Sequence, residues 1–508
     1  MKKLRLCFLI SLCLILCGCS SLTNNGPDET KLPELEKEAS SEPNAGTEPN
    51  QNSTNILFEE TLTSGLKVAV TDYNALLISG ADIVENIKEN RVLSSYISKI
   101  TSIEIGEGVH LIGEKAFAEF NTIQRVTIGP DTERIAYSAF SECTALTGIT
   151  FGQNITAIED YAFSGCTALK DASLNQSLES LGSYVFSGCT ALQNVNIGPS
   201  LKTMGTGVFS GCTALASIRT ASDVSSAAFQ DLTSLVTVVL TDEVKNIADR
   251  AFAGCTSLKN MTFSNQLIGI GDYAFSGCTG LQSVSIPAGV EQIAHGAFSG
   301  CTALDTVKIS HNPVLLIEEN AFNGCSLLSS LEIEEGCGLE IGVSAFSGCA
   351  ALRAVTIPEG ATRIDEKAFA ALTALEKINL PSTLTEIGEE AFSGCSALDT
   401  VEIASGGALD IRKAAFKDCT ALVKLTLPEG VLTIGEKAFS GCSALETLIL
   451  PKTLTEVGYR MIEKTTSLKA MNYRGSSSEW YDVKKAKDWN IESGEWGGSL
   501  GINKYNVE

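Results

Sequence analysis

The chain has 508 residues with 60 acidic against 37 basic side chains, a formal net charge of -23, and three histidines beside 17 cysteines, 20 phenylalanines and 45 glycines. That charge argues against binding nucleic acid or an anionic membrane face through bulk electrostatics, and no local basic run offsets it. Three histidines leave little room for a His-based metal site or a Ser-His or Cys-His catalytic set, and the length predicts three or four ordinary domains unless a repeat overturns it.

Lys2, Lys3 and Arg5 precede an apolar run from Leu6 to Gly18. The run is too short to cross a bilayer as a helix, so it reads as an export signal. It ends in Leu16-Cys17-Gly18-Cys19, which resembles the bacterial lipobox. That resemblance implies cleavage after residue 18, lipidation of Cys19, an acyl anchor in the membrane, and, with Ser20 next, passage to the surface of an outer membrane. Residues 19–55 are rich in Asn, Ser, Glu, Pro and Thr and cannot bury enough surface to offset ordering entropy, so a disordered tether is expected. Residues 56–99 read as an N-terminal cap, with a helix expected across Ala81–Ile97 from the spacing of Ile83, Ile87 and the apolar group after residue 91.

From residue 100 to 473 one unit recurs. A motif like Ala-Phe-Ser-Gly-Cys places Phe at fifteen positions from Phe117 to Phe439, and the fourteen intervals average 23 residues. One interval, Phe209 to Phe229, is shortened to 20. Between motifs lies a strand-like segment such as Leu281-Gln-Ser-Val284-Ser-Ile286, a turn such as Pro287-Ala-Gly289, then Val290, Ile293 and the next Ala-Phe. No unit can bury its apolar side alone, so the units must stack into a solenoid whose seventeen strands form one long parallel sheet of about 80 Å. Period-two alternation sends Val307 and Ile309 inward and leaves Thr306 and Lys308 outside, while the Phe column forms a second internal stripe.

Twelve cysteines fall three residues after a Phe, four lie in the export signal, and Cys337 stands apart. Phe120, Leu232 and Leu372 occupy the same phase, which favours free buried thiols in a packing column over a disulfide ladder.

The stretch from Cys419 through Leu422, Leu425, Leu427-Pro428, Val431 and Ile434-Gly435 to Ala438-Phe439 resembles the BspA-like, Treponema pallidum-type leucine-rich repeat. Departures are the short unit ending at Phe229, loss of the repeat Pro in many units, and a last unit in which Met461-Ile462 replaces Ala-Phe. The resemblance implies an α/β-type leucine-rich repeat solenoid of about 16–17 coils, with its parallel sheet on a concave face. Residues 474–508 follow as C-terminal cap and tail, where Tyr473, Gly475, Ser476 and Trp480 resemble the family's terminal segment and Trp480 and Trp489 close the core. It further implies a non-enzymatic surface protein without cofactor that binds extracellular protein or glycan, on host matrix or another bacterium, with an envelope scaffold that self-associates as the alternative.

The outward strand positions are the expected contact surface. They include Arg125, Asn194, Asn196, Arg219, Asn260, Thr306, Lys308, Glu332, Lys377, Asn379, Glu402 and Lys424. The face is polar, mixed in charge and without an aromatic stripe, which suits an extended ligand held at many weak points. Enzymatic readings fare poorly: Gly113-Glu-Lys115 and Gly435-Glu-Lys437 lack the spaced glycines and terminal Ser/Thr of a phosphate loop. His110, His295 and His311 share no repeat phase, and Glu114, Glu366, Glu389 and Glu436 fall on repeated exposed turns, so no catalytic or metal-ligating residue is assigned.

Overall fold

The structure is a computed structural model that describes residues 55–490, apart from 92 and 199. The export signal, Cys19, the tether up to residue 54 and the tail from 491 lie outside the described residues.

Each coil opens with a strand of a first sheet, and seventeen such strands run from Ser102–Ile105 to Ala470–Tyr473, the number expected. They lie parallel and in register, with Val284 opposite Val307 and Lys308 opposite Glu332. Val307 and Ile309 are buried while Lys308 is exposed. The coil then forms a second parallel sheet from strands of two to four residues, such as Gln292–Ile293 and Glu386–Ile387. This sheet is more continuous than the first, running as ladders of six and eleven strands. The Ile-Gly pair of many coils has a steric origin here: a Cβ on Gly388 would stand 2.5 Å from the backbone carbon of Asp365 in the coil before.

The third limb of the coil is a chain of turns with no helix, and it carries the Phe motif. Its backbone also bonds coil to coil, as when Phe298 N–H donates to Ala321 O at 2.7 Å. Gly300 sits at φ +72° in this turn, a left-handed position where glycine escapes the Cβ penalty. All fifteen phenylalanines are fully buried and stack on one another, with ring centroids 5.0–5.9 Å apart and planes within 20°. Such stacked pairs add to the burial of area.

The twelve repeat cysteines are buried free thiols, as expected, but their position is not merely apolar. Each Sγ–H donates to the Phe carbonyl of the preceding coil, for example Cys301 to Phe275 O and Cys395 to Phe369 O, both at 3.2 Å. The Phe275 carbonyl already accepts the Cys278 N–H of its own coil at 3.1 Å, so the Cys301 thiol satisfies its second lone pair inside the core. Burial pushes the Cys301 thiol well up, and that of Cys395 to about 12.

The N-terminal cap differs from its reading. Strands β1 (Ile56–Thr61), β2 (Lys67–Thr71) and β3 (Ala75–Ser79) form an antiparallel meander, and β3 joins the first sheet by pairing in parallel with Ser102–Ile105. The helix expected across Ala81–Ile97 is instead a two-residue strand of the second sheet, Ile83–Val84, followed by three single 3-10 turns. Asn86 and Asn90 accept the N–H groups of Lys88 and Leu93 at 3.1 and 3.2 Å, so side chains take donors that a continuous helix would have claimed. At the other end a helix, α1 (Ser477–Asp482), starts in a capping box between Ser476 and Glu479. Its Trp480 contacts Tyr473 and Trp489 at 5.1 and 5.6 Å, and both tryptophans pack against the end of the core as expected.

The 20-residue coil interrupts the second sheet, whose ladder stops after Thr203–Met204 and leaves one isolated bridge from Val224 to Ile247. The first-sheet ladder breaks before Ser217–Thr220, as it also does before Ser283–Ile286, Ala354–Thr356 and Lys424–Thr426. Serine hydroxyls replace part of the lost bonding: Ser222 Oγ donates to Leu201 O at 2.7 Å and Ser225 Oγ to Gly205 O at 2.5 Å. The same coil carries Leu232, so the Phe209 carbonyl has no thiol donor, yet the Phe209–Phe229 stack continues at 5.5 Å. We expect amides of residues 216–220 to exchange about tenfold faster than those of residues 237–240, measured by native hydrogen exchange; equal protection would show that the level is not weakened.

Candidate interaction face

All twelve outward residues named from the sequence lie on the outer side of the first sheet; nine are exposed, and Thr306, Lys377 and Asn379 are half-buried. They form a broad face and not one cluster, since they are distributed from the coil of Arg125 to that of Lys424. The two ends of the face differ in how the charges are used. Toward the C-terminus, cations are matched across neighbouring strands: Lys308–Glu332 at 3.1 Å, Arg353–Glu376 at 2.8 Å, Lys377–Glu402 at 2.9 Å and Lys469–Glu446 at 2.6 Å. Lys308 beside Glu332 holds that carboxyl below its usual range. Each pair is solvent-exposed, so it contributes little stability, but it neutralises the surface locally.

Toward the N-terminus the face is built of amides and hydroxyls. Asn194 Nδ2 donates to Asp171 Oδ1 in the strand before it at 2.8 Å, while Asn196 and Asn260 project outward beside Ser173 and Thr262. Arg125 and Arg219 are exposed and have no carboxylate within ion-pair distance among the described residues. Two cations of this face escaped the sequence reading. Lys170 and Lys259 stand one residue before their strands, directly after the buried Leu169 and Leu258, and are equally exposed. The signal was present in the repeat: Gln124 and Gln282 hold the same phase and face the same side.

A second surface feature was also missed. On the turn limb Tyr137, Tyr161 and Tyr184 line up across three coils, with centroids 5.8 and 5.2 Å apart. Tyr161 and Tyr184 hold left-handed backbone at φ +59° and +57°, and the Tyr184 ring lies over Gly207, where a Cβ would come within 2.5 Å of it. The ridge ends at that glycine because no side chain fits beneath the ring.

The remaining candidates stay apart. His110 faces Asp82 at 2.9 Å, His295 packs against Tyr273 at 5.0 Å, and His311 Nδ1 lies 3.0 Å from Glu335 O, three unconnected environments. Glu366 and Glu389 contact Lys367 and Lys413, which uses their charge in exposed pairs. Among the described residues no group of His, Cys, Asp and Glu is arranged to hold a metal ion, and no helix is long and apolar enough to cross a membrane.

Parallel coils of about 23 residues, an inward Leu/Val/Ile pattern on the first strand and a stacked Phe column define a leucine-rich repeat solenoid. Residues 90–216, 222–339 and 339–469 match the model of the BspA type leucine-rich repeat region, in six copies. The chain belongs to this family. Among solved structures it is similar to a leucine-rich repeat protein from Bacteroides ovatus ATCC 8483, at 23% identity over 79% of this chain and 95% of that one, TM-score 0.47. It is likewise similar to a leucine-rich cell surface protein of Faecalibacterium prausnitzii A2-165, at 22% identity over 84% and 97%, TM-score 0.32. The T. pallidum leucine-rich repeat protein shares 25% identity over 44% of this chain and 90% of its own, TM-score 0.29. No curated protein matches the chain.

Proposed function

We propose that the chain is a non-enzymatic binding module of the bacterial surface, lipid-anchored at Cys19, that acts as an adhesin through the outer face of its first sheet. The observation that carries this reading is the face itself: seventeen parallel strands present rows of exposed polar side chains over a continuous rigid core. A face of that breadth gains affinity from many modest contacts to an extended extracellular protein or glycan, on host matrix or another bacterium. Membership of the BspA type family and the export signal support a surface location.

A second reading, a self-associating envelope scaffold, draws on β1. Among the described residues this strand pairs on one side only and exposes Ile56 and Leu57, an edge able to accept another strand. The chain from Ser20 onward, immobilised through its N-terminus and offered extracellular proteins and glycans, separates the two. Saturable capture of a ligand, weakened by substitutions on the first-sheet face with the fold intact, is the expected result. Capture of its own kind alone, with a weakened envelope when the chain is removed, overturns adhesion in favour of the scaffold. In the same cells Cys19→Ala is expected to move the chain out of the membrane fraction, and undiminished membrane retention sinks the anchor.

A further inference from the structure

The first-sheet face between residues 102 and 285 is charged unlike the rest of the chain. It carries four cations, Arg125, Lys170, Arg219 and Lys259, against two carboxylates, Glu104 and Asp171, for a local balance of +2 in a chain of net charge -23. None of the four cations has a carboxylate within 4.0 Å among the described residues; Arg219 senses Glu243 of the adjoining turn only at longer range. One of the two carboxylates, Asp171, is occupied by Asn194. The contrast with the other half is sharp, because four of its five cations are consumed in strand-to-strand ion pairs.

The cations recur on every second coil. Their strands are Arg125–Ile128, Asp171–Ser173, Ser217–Thr220 and Asn260–Thr262, each separated from the next by a single strand that bears no charge on this face. With adjacent strands about 4.8 Å apart, that places one positive charge about every 10 Å along the stack. A linear polysaccharide with one anionic group per disaccharide repeats on that scale. The side chains between the cations are Gln, Asn, Ser and Thr, which hydrogen-bond hydroxyl-rich ligands, and they include no aromatic or large aliphatic anchor apart from Val236 and Val239. A protein partner would draw its affinity from such anchors at the centre of the patch, so the chemistry favours a carbohydrate.

We propose that this half of the face, residues 102–285, binds a linear acidic polysaccharide, with Arg125, Lys170, Arg219 and Lys259 each meeting one of its anionic groups. The proposal rests on the binding-module reading and names its ligand class. The full chain is titrated with hyaluronate, which bears one carboxylate per disaccharide, with κ-carrageenan, which bears one sulfate per disaccharide, and with neutral dextran. Binding of at least one acidic polymer but not dextran, falling as salt is raised, is expected. The quadruple substitution R125Q/K170Q/R219Q/K259Q should weaken it about 30-fold, the product of four exposed contacts, while the triple K367Q/K413Q/K437Q at ion-paired lysines of the turn limb, off this face, leaves it within about twofold. Preference for κ-carrageenan over hyaluronate assigns sulfate as the anionic group, and the reverse assigns carboxylate. Failure of both acidic polymers to bind, or equal losses in the two variants, overturns the proposal. If the quadruple variant instead loses capture of a protein ligand while no acidic polymer binds, the binding-module reading stands and this ligand class falls.

Discussion

Phe298→Ala is expected to lower the unfolding free energy by about 3–5 kcal/mol, read from urea denaturation of the full chain. The ring lies between Phe275 and Phe322 with both centroids at 5.1 Å, so its removal strips two stacked faces and opens a void within a column of fully buried side chains. The neighbours cannot close that void, because backbone bonds on this limb fix the spacing between coils, including Phe275 N–H to Ala297 O and Phe298 N–H to Ala321 O, both at 2.7 Å. In a solenoid each coil touches only its neighbours, so the loss acts first on the interfaces flanking residue 298 and broadens the transition. A destabilisation below about 1 kcal/mol would mean that the column is compliant and that the two sheets hold the coils without it.

The second large effect is alkaline. A thiol becomes charged on losing its proton, and burial penalises the thiolate, so the folded value of Cys395 rises from its ordinary 9.0 to about 12. Its contribution to stability is complete below pH 9 and is lost as pH rises toward 12, because the unfolded chain releases the proton first. The loss is about 1.4 kcal/mol per pH unit for this one thiol across that window, and Cys301 is displaced in the same direction by the same cause. Thermal unfolding of the native chain should therefore weaken steeply above pH 9. Cys395→Ser keeps a donor toward the Phe369 carbonyl but removes the titrating group, so its alkaline slope should be shallower by about that amount. An unchanged slope would show that the thiol is not protonated in the folded state through this range.

The solenoid was legible because it states itself fifteen times. The Phe interval gave the coil, and alternation around Val307 and Ile309 gave the inward face of the first sheet. The second sheet was hidden: Gln292–Ile293 and most of its counterparts hold a single inward residue, too few for a period to show. The helix expected near Ile87 failed because the Asn86 and Asn90 side chains divert backbone donors, a local competition that apolar spacing does not record. Leu232 and Leu372 made the cysteine column read as plain packing; only the coil-to-coil geometry exposes the thiol as a donor to Phe carbonyls. The cations of the interaction face were invisible as a patch because 40 to 49 residues separate each from the next, and stacking alone brings them onto one surface. Of the cations on the expected contact surface, Lys308 and Lys377 are committed to Glu332 and Glu402, which sequence cannot tell from Arg125 and Arg219.

Because one coil meets the next through the same Phe, Ala and Cys contacts at nearly every level, the number of coils is not fixed by the core. An in-frame gain or loss of one full-length unit would leave the Phe column and the sheet junctions of the remaining coils satisfied, provided both caps are retained. The reach of the array, and the phase of whatever its surface displays, can thus drift between strains by whole units while the hydrophobic interior stays the same.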